Sequence, residues 1–428
     1  METKRFEQLQ ETVYYEQLKN GLSIYVLPKE GFNKTFATFT TKYGAIDNHF
    51  KLVSKDKWLK VPDGVAHFLE HKMFEQPDGV DVFQTFSTQG AMVNAFTSFT
   101  ATSYLFSSTS NVDENLATLV DFVQKPAFTD ENVEKEKGII GQEIRMYDDN
   151  PDWRLYFGLI ENMYHNHPVK IDIAGTVESI SRITKEHLYE CYKTFYHPSN
   201  MVLFIVGPVD PKAVIELVER NQEGRELTNK QAIDRQYPEE PRTVVHKERS
   251  LTMAVQTSKC LVGYKEQSVH RQGTAMLRHE LSVQLLLELL FGKGTVNYHC
   301  LINEGLIDDS FSYDYTEEYE FAFSAFGGNT EHPDRLAARL RTMIEEAKLR
   351  KIDEQALERV RKKRIGSFLK ALNSPEFIAT QFTRYRFNQM DLFSILPTLE
   401  ELALTELEDV LKEHFDDECF TQFKVVAK

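Results

Sequence analysis

The hydrophobic pattern falls into two runs of strand-like and helix-like segments separated by a polar stretch. In the first run, residues 22–27 and 35–43 alternate apolar and polar positions as strands do, the second ending at Gly44. Pro62 and Asp63 signal a helix start, and a helix is predicted to about Phe74, stopped by Pro77-Asp78-Gly79. A short helix over 80–89 leads through Gly90 into strands at 93–99 and 103–108. Asn111 is placed as the cap of a helix to Lys125, with Leu116, Leu119, Val120 and Val123 on one face. Asp130 is placed as the cap of the next helix, which carries Val133, Glu136, Ile139, Ile140, Glu143 and Ile144. Helices at 153–164 and 184–196, an apolar strand at 201–206 and a helix at 211–221 complete the run.

Periodicity fades over residues 222–249, where Pro238-Glu239-Glu240-Pro241 lies in a charged stretch, and a linker is predicted there. The order of elements then repeats: a strand at 252–264, helices at 274–291 and 296–304, strands at 310–315 and 319–326, helices at 333–350, 353–372, 375–388 and 405–414, and a last strand at 420–426. The expected fold class is α+β, with two similar α/β-roll-like halves, each a mainly antiparallel sheet covered by helices. The expected domains are 1–221, carrying the candidate chemistry, and 250–428, of similar fold without a metal site. A length of 428 residues suits such a division.

Composition narrows the partners. A hydrophobic fraction of 41% with 27% charged residues is that of a folded chain with sizeable cores. A net charge of −15 argues against nucleic acid and anionic membrane surfaces, and is compatible with steering basic peptides. The opening twenty residues are polar and charged, so neither a secretory signal nor an anchor is expected, and the longest apolar run, 201–206, is too short to span a bilayer. Cys191, Cys260, Cys300 and Cys419 have no paired spacing and read as reduced thiols of a cytoplasmic protein. His299-Cys300 reads as core.

The candidate chemistry lies in Gly64-Val65-Ala66-His67-Phe68-Leu69-Glu70-His71. His67 and His71 stand four apart, so a helix projects both to one side, where two ring nitrogens can reach one ion at about 2.0–2.1 Å. Glu70 lies beside them, positioned to take a proton from water next to the ion. This is the inverted His-x-x-Glu-His order of zinc peptidases. A catalytic zinc takes a third protein ligand, and Glu136 and Glu143, seven apart on one face of the helix after Asp130, are the candidates. In the second half, the helix at the matching place has one histidine, His279, and no partner four away.

His67-Phe68-Leu69-Glu70-His71, Gly90, Asn94-Ala95-Phe96-Thr97 with Tyr104, Glu136 through Glu143-Ile144, His167-Pro168 with Gly175-Thr176, and Tyr196-His197-Pro198-Ser199-Asn200-Met201 keep their order over roughly residues 20–210. Together they resemble the pitrilysin or insulinase-like zinc peptidases, the inverzincins, and within them two-domain members similar to mitochondrial processing peptidase. The resemblance implies that Zn2+ is held by His67, His71 and Glu143, that Glu70 is the general base, and that Glu136 is the acid that orients a histidine ligand or the metal water. It implies that Asn94, Ala95 and Phe96 lie on an edge strand that pairs with an extended peptide substrate. It further implies a zinc metalloendopeptidase whose two halves enclose a chamber, favouring unfolded peptides. Within the family the chain is most similar to a bacterial group associated with aminopentanol modification of elongation factor P, encoded beside a second member that lacks the motif.

One departure bears on assembly. Self-sufficient relatives place an arginine and a tyrosine from the second half in the active site, and the matching segment here, Leu301-Ile302-Asn303-Glu304-Gly305-Leu306-Ile307-Asp308-Asp309-Ser310, has no arginine. Arg384 and Tyr385 lie far downstream and read as structural or rim residues. The resemblance therefore implies a heterodimer with a metal-free subunit of the same fold, with a homodimer as the other arrangement. A non-proteolytic assembly or binding subunit is the competing expectation, and a zinc-dependent amide hydrolase is a third.

Overall fold

Strands buried at every position must be covered on both faces, and Thr35–Thr41 and Met201–Gly207 are two such segments. In the computed structural model, which describes all residues except 53–55, 78, 224 and 226–231, they pair side by side inside a seven-stranded sheet. Asp78 of the predicted turn and part of the predicted linker lie outside the described residues.

The first half runs β1 (Glu2–Phe6), β2 (Glu11–Gln17), β3 (Ser23–Pro28), β4 (Thr35–Thr41), a small ribbon of β5 (His49–Lys51) and β6 (Trp58–Lys60), then α1 (Val65–Met73) and α2 (Val82–Thr88). It continues with β7 (Ala91–Thr97), β8 (Thr102–Ser108), α3 (Val112–Phe122), α4 (Asp130–Asp148), α5 (Pro151–Met163), α6 (Val177–Ser181), α7 (Lys185–Phe195), β9 (Met201–Gly207) and α8 (Pro211–Gln222). The sheet order is β1-β2-β3-β9-β4-β8-β7, antiparallel throughout except for the parallel pair β3 and β9.

The second half runs β10 (Glu248–Met253), β11 (Lys259–Lys265), α9 (Gly273–Phe291), α10 (Val296–Asn303), β12 (Ser312–Glu318), β13 (Phe321–Asn329), α11 (Pro333–Lys348), α12 (Glu354–Ala371), α13 (Pro375–Phe387), α14 (Ile395–Glu401), α15 (Leu404–His414) and β14 (Phe420–Ala427). Its sheet order, β10-β14-β11-β13-β12, repeats β3-β9-β4-β8-β7 strand for strand, including the single parallel pair, here β10 with β14. The fold is α+β, built from one topology used twice.

The chain divides into two units that do not follow the halves. Unit 1 comprises Met1–Ile144, Asp172–Tyr237 and Ala371–Phe387; unit 2 comprises Arg145–Ile171, Pro238–Lys370 and Asn388–Lys428. In unit 1, α13 packs on β4 and β9, with the Phe382 ring 4.5 Å from Phe204 and 5.0 Å from Tyr25. In unit 2, α5 packs on β11 and β14, and Gly158 gives it room, since a Cβ there would stand 2.4 Å from the Phe423 ring. As α5 and α13 hold equivalent places in the repeat, each half gives up the same helix to the sheet of the other unit.

Local departures from the sequence reading have simple causes. The single strand predicted at 252–264 is two strands, because residues up to Met253 pair with β14 and those from Lys259 pair with both β14 and β13. Thr129, not Asp130, caps α4: its hydroxyl accepts from Asn132 N at 3.1 Å, and Asn132 Oδ1 accepts from Thr129 N at 2.9 Å. Asn111 makes no side-chain cap bond to α3; its amide donates to Gln89 O instead. His299 is exposed and Cys300 half-buried on α10, outside the core. Strands β1 and β2 were not predicted; β1 is nearly all exposed and polar, and β2 is only partly buried. Among the described residues no helix is long and apolar enough to cross a membrane, and the four cysteines are free.

What fixes the start of α1 is a close backbone crossing. Gly64 takes φ +86°, and a Cβ there would stand 2.4 Å from Ala174 O; Gly175, at φ +74°, lies as tightly against Asp63 O. Ser179 Oγ donates to Asp63 O at 2.8 Å and closes the crossing. Gly64→Ala is accordingly expected to lower stability by more than about 1 kcal/mol. Gly138→Ala, at an exposed site within α4 with no atom near the added methyl, is expected to raise it by roughly 0.5–1 kcal/mol. Chemical denaturation of both variants checks the pair, and equal effects would refute the crossing as a constraint.

Candidate metal centre

Helix α1 presents His67 and His71 on one side, with ring centroids 4.6 Å apart, as the four-residue spacing predicts. Helix α4 brings Glu143 against them: Oε1 lies 3.7 Å from His67 Nε2 and Oε2 lies 3.6 Å from His71 Nε2. Donors around a tetrahedral zinc with bonds of about 2.0–2.2 Å stand roughly 3.4 Å apart, so these separations fit one shared ion. One candidate donor atom from each of the three residues lies within 4.8 Å of the other two, two from imidazoles and one from a carboxylate.

Glu136, two turns before Glu143, faces a different atom. Its Oε1 lies 3.1 Å from His71 Nδ1, the ring nitrogen turned away from Glu143, and its Oε2 lies 3.2 Å from Lys72 Nζ. Burial would raise the Glu136 carboxyl, but the His71 bond and the Lys72 charge hold it below the usual range. Burial would likewise lower His71, and the Glu136 bond with the nearby carboxylates raises it instead. His67 is held down, to about 4, first by burial and then by the neighbouring His71, so its ring is neutral at pH 7 with a lone pair to give.

Glu70 is 7% exposed, and Thr97 Oγ1 donates to its Oε2 at 2.5 Å. Burial raises its pKa, with the Thr97 bond opposing, which suits a carboxylate that accepts and returns a proton. Thr97 belongs to β7, the outer strand of the sheet beside α1. On that strand Ala91, Val93, Ala95 and Thr97 alternate with Met92, Asn94 and Phe96, which are exposed. Asn94 Oδ1 accepts from Ala95 N at 2.9 Å. Arg384 and Tyr385 belong to α13 of unit 1, where Tyr385 is buried.

Two contributors escaped the sequence reading. Thr97 is visible only as the end of the Asn94-Ala95-Phe96-Thr97 edge-strand motif, because its contact with Glu70 depends on how β7 packs on α1. Lys72 has no place in the sequence reading, yet it is fully buried; a lysine next to apolar Met73, with Glu75 three residues on, is the available signal.

A second group of donors lies in unit 2. Glu266 Oε2 stands 2.8 Å from His279 Nε2 and 3.0 Å from His414 Nδ1, and His414 Nε2 stands 2.9 Å from Ser324 Oγ. Both nitrogens are at hydrogen-bond distance from one oxygen, closer than donors sharing an ion, so protons fill these contacts. Arg271 and Tyr315 tie Glu317 into the same buried group, and burial pushes the Glu317 carboxyl up to about 8 even with Arg271 beside it.

Comparison with known proteins gives consistent matches. Residues 60–177 match the family described as insulinase (peptidase family M16), and residues 182–364 match the peptidase M16 inactive domain. The chain is 59% identical to the uncharacterized zinc protease YmfH of Bacillus subtilis (strain 168), over 99% of this chain and 98% of that protein. It is 25% identical to the zinc protease PqqE of Helicobacter pylori (strain ATCC 700392 / 26695), over 94% of this chain and 89% of that protein. The crystal structure of an M16-like peptidase from Alicyclobacillus acidocaldarius superposes with a TM-score of 0.94 at 40% identity, covering 98% of this chain and 99% of that one.

The buried acid in unit 2 makes stability depend on pH. A carboxyl near 4.5 when unfolded and about 8 when folded holds its proton more tightly in the fold, so its contribution is complete below about 4.5 and is lost as pH rises through about 8. The thermal midpoint is expected to fall between pH 6 and 9, and Glu317→Gln is expected to flatten that fall. Parallel pH profiles for the two proteins would refute the assignment.

Proposed function

The chain belongs to the insulinase family of peptidases, M16, whose cofactor is Zn2+, and from that premise we propose a zinc metalloendopeptidase that cleaves unfolded peptides in the cytoplasm. The observation that carries the proposal is the spacing of 3.6–3.7 Å between Glu143 and both imidazoles, beside a buried carboxylate held by Thr97. His67, His71 and Glu143 hold the zinc in this reading. When bound, zinc supplies a Lewis acid that polarises a peptide carbonyl and acidifies water.

The remaining work falls to side chains. Glu70, with one oxygen fixed by Thr97, takes the water proton and returns it to the departing amine. Its burial keeps that proton affinity above the ordinary carboxylate range. Glu136 accepts from His71 Nδ1 and keeps the imidazole lone pair on Nε2. An extended peptide pairs with the free edge of β7, with Asn94 giving up Ala95 N to the substrate and Phe96 supplying an apolar contact.

The zinc-bearing chain works as one subunit of a dimer. The absence of arginine from residues 301–310 favours a second, metal-free chain of the same fold as the partner that supplies it.

The test is to purify the chain alone and with a same-fold partner, measure bound zinc, and follow a mixed peptide library by mass spectrometry. Wild type with partner is expected to cut. Glu70→Gln is expected to retain one zinc while losing about 10²–10⁴ in kcat/KM. Glu143→Gln is expected to lose the zinc. A zinc-loaded wild type, partner present, as inert as Glu70→Gln would sink the peptidase reading in favour of a non-proteolytic assembly subunit.

A further inference from the structure

Lys72 is an expensive residue for the place it occupies. Its side chain is 0% exposed, and an ammonium withdrawn from water is tolerated only when paired. Both partners are carboxylates: Glu75, one turn on and partly exposed, at 2.5 Å, and Glu136, 8% exposed on α4, at 3.2 Å. Glu75 alone would satisfy a surface lysine. The contact that needs burial is the one with Glu136.

Glu136 and Glu143 are the same residue type on one face of one helix, and both point toward the imidazoles of α1. Their difference is what else they touch. Glu136 has one oxygen on His71 Nδ1 and the other on Lys72 Nζ, so both oxygens are directed to the side of His71 remote from Nε2. A carboxylate with one oxygen uncommitted beside a divalent cation is itself a ligand of the kind zinc accepts. The ammonium removes that freedom and holds Glu136 as the acceptor for Nδ1–H.

We propose that Lys72 is a positioning residue of the metal centre: through its buried ion pair it keeps Glu136 out of the ligand set and fixes the tautomer and orientation of His71. The inference rests on the ligand set proposed above. It assigns to α1 a third contribution, next to its two imidazoles and its base.

Lys72→Met, close in shape and without charge, is the direct test, read by competition with a chromophoric chelator and by the visible spectrum of the cobalt(II)-loaded protein. The expected result is zinc binding weakened about 10–100-fold, the range for loss of a group that orients a metal ligand, with an altered cobalt spectrum. Lys72→Arg is expected to restore both to near wild type, and Glu75→Gln to leave both unchanged. If Lys72→Met folds poorly, the Lys72→Met/Glu136→Gln double variant, which leaves no unpaired buried charge, serves instead. It should lose no more affinity than Glu136→Gln alone, because both residues act on one contact. Wild-type affinity and spectrum in Lys72→Met, or additive losses in the double variant, would overturn the inference. Glu143→Gln separates the two levels: if it kept zinc, the proposed ligand set falls, whereas its loss of zinc beside an unaffected Lys72→Met removes only the role of Lys72.

Discussion

The contact between α1 and α4 is the constraint on which the candidate centre depends. Two imidazoles one turn apart on a short helix form an incomplete donor set, and burying them with Glu70, Glu136 and Glu143 gathers negative charge in a place with little water. That gathering holds together only where each group has a defined partner. Here His71 and Lys72 take Glu136, Thr97 takes Glu70, and Glu143 faces both Nε2 atoms. The geometry that fits an ion is therefore produced by assigning partners to the carboxylates as much as by bringing donors together.

The same topology in unit 2 reaches a different electrostatic solution. His279 on α9, the helix equivalent to α1, meets Glu266 from the end of the neighbouring strand and, with His414 from α15, closes a cluster at hydrogen-bond distances. Burial would raise the Glu266 carboxyl, but the bonds from the two histidines hold it well below the usual range. A buried polar cluster whose members satisfy one another contributes rigidity and a pH dependence, where the more widely spaced donors of unit 1 leave room for an ion. The exchange of α5 and α13 between the units makes two copies of one fold interdependent, since neither sheet is covered by helices of its own half alone.

Much of the fold was legible because its strong elements carry strong periodicity. The strand at 201–206, the helices over 112–122, 185–195, 333–348 and 404–414 and the repeat of the element order all follow from apolar spacing. What failed did so for local reasons. Thr129 and Asn132 cap α4 reciprocally where an acidic first residue suggested Asp130. The break at 254–258 divides a continuous strand-like pattern, because β10 pairs parallel with one side of β14 and β11 antiparallel with the other, so the chain must cross between them. Strand β1 lies at an exposed edge, where polar residues carry no alternation to read.

The sequence by itself determined the donors available and their spacing along each helix: His67 and His71 on one face of α1, Glu136 and Glu143 on one face of α4, and the duplicated order of elements. Those properties follow from the 3.6-residue period and from residue chemistry, which are local. Only the tertiary structure decided which acid faces which nitrogen, that Thr97 holds Glu70, that Lys72 is buried, and that α5 and α13 change places. Those outcomes depend on where one element lies against another far along the chain, and no local pattern encodes that.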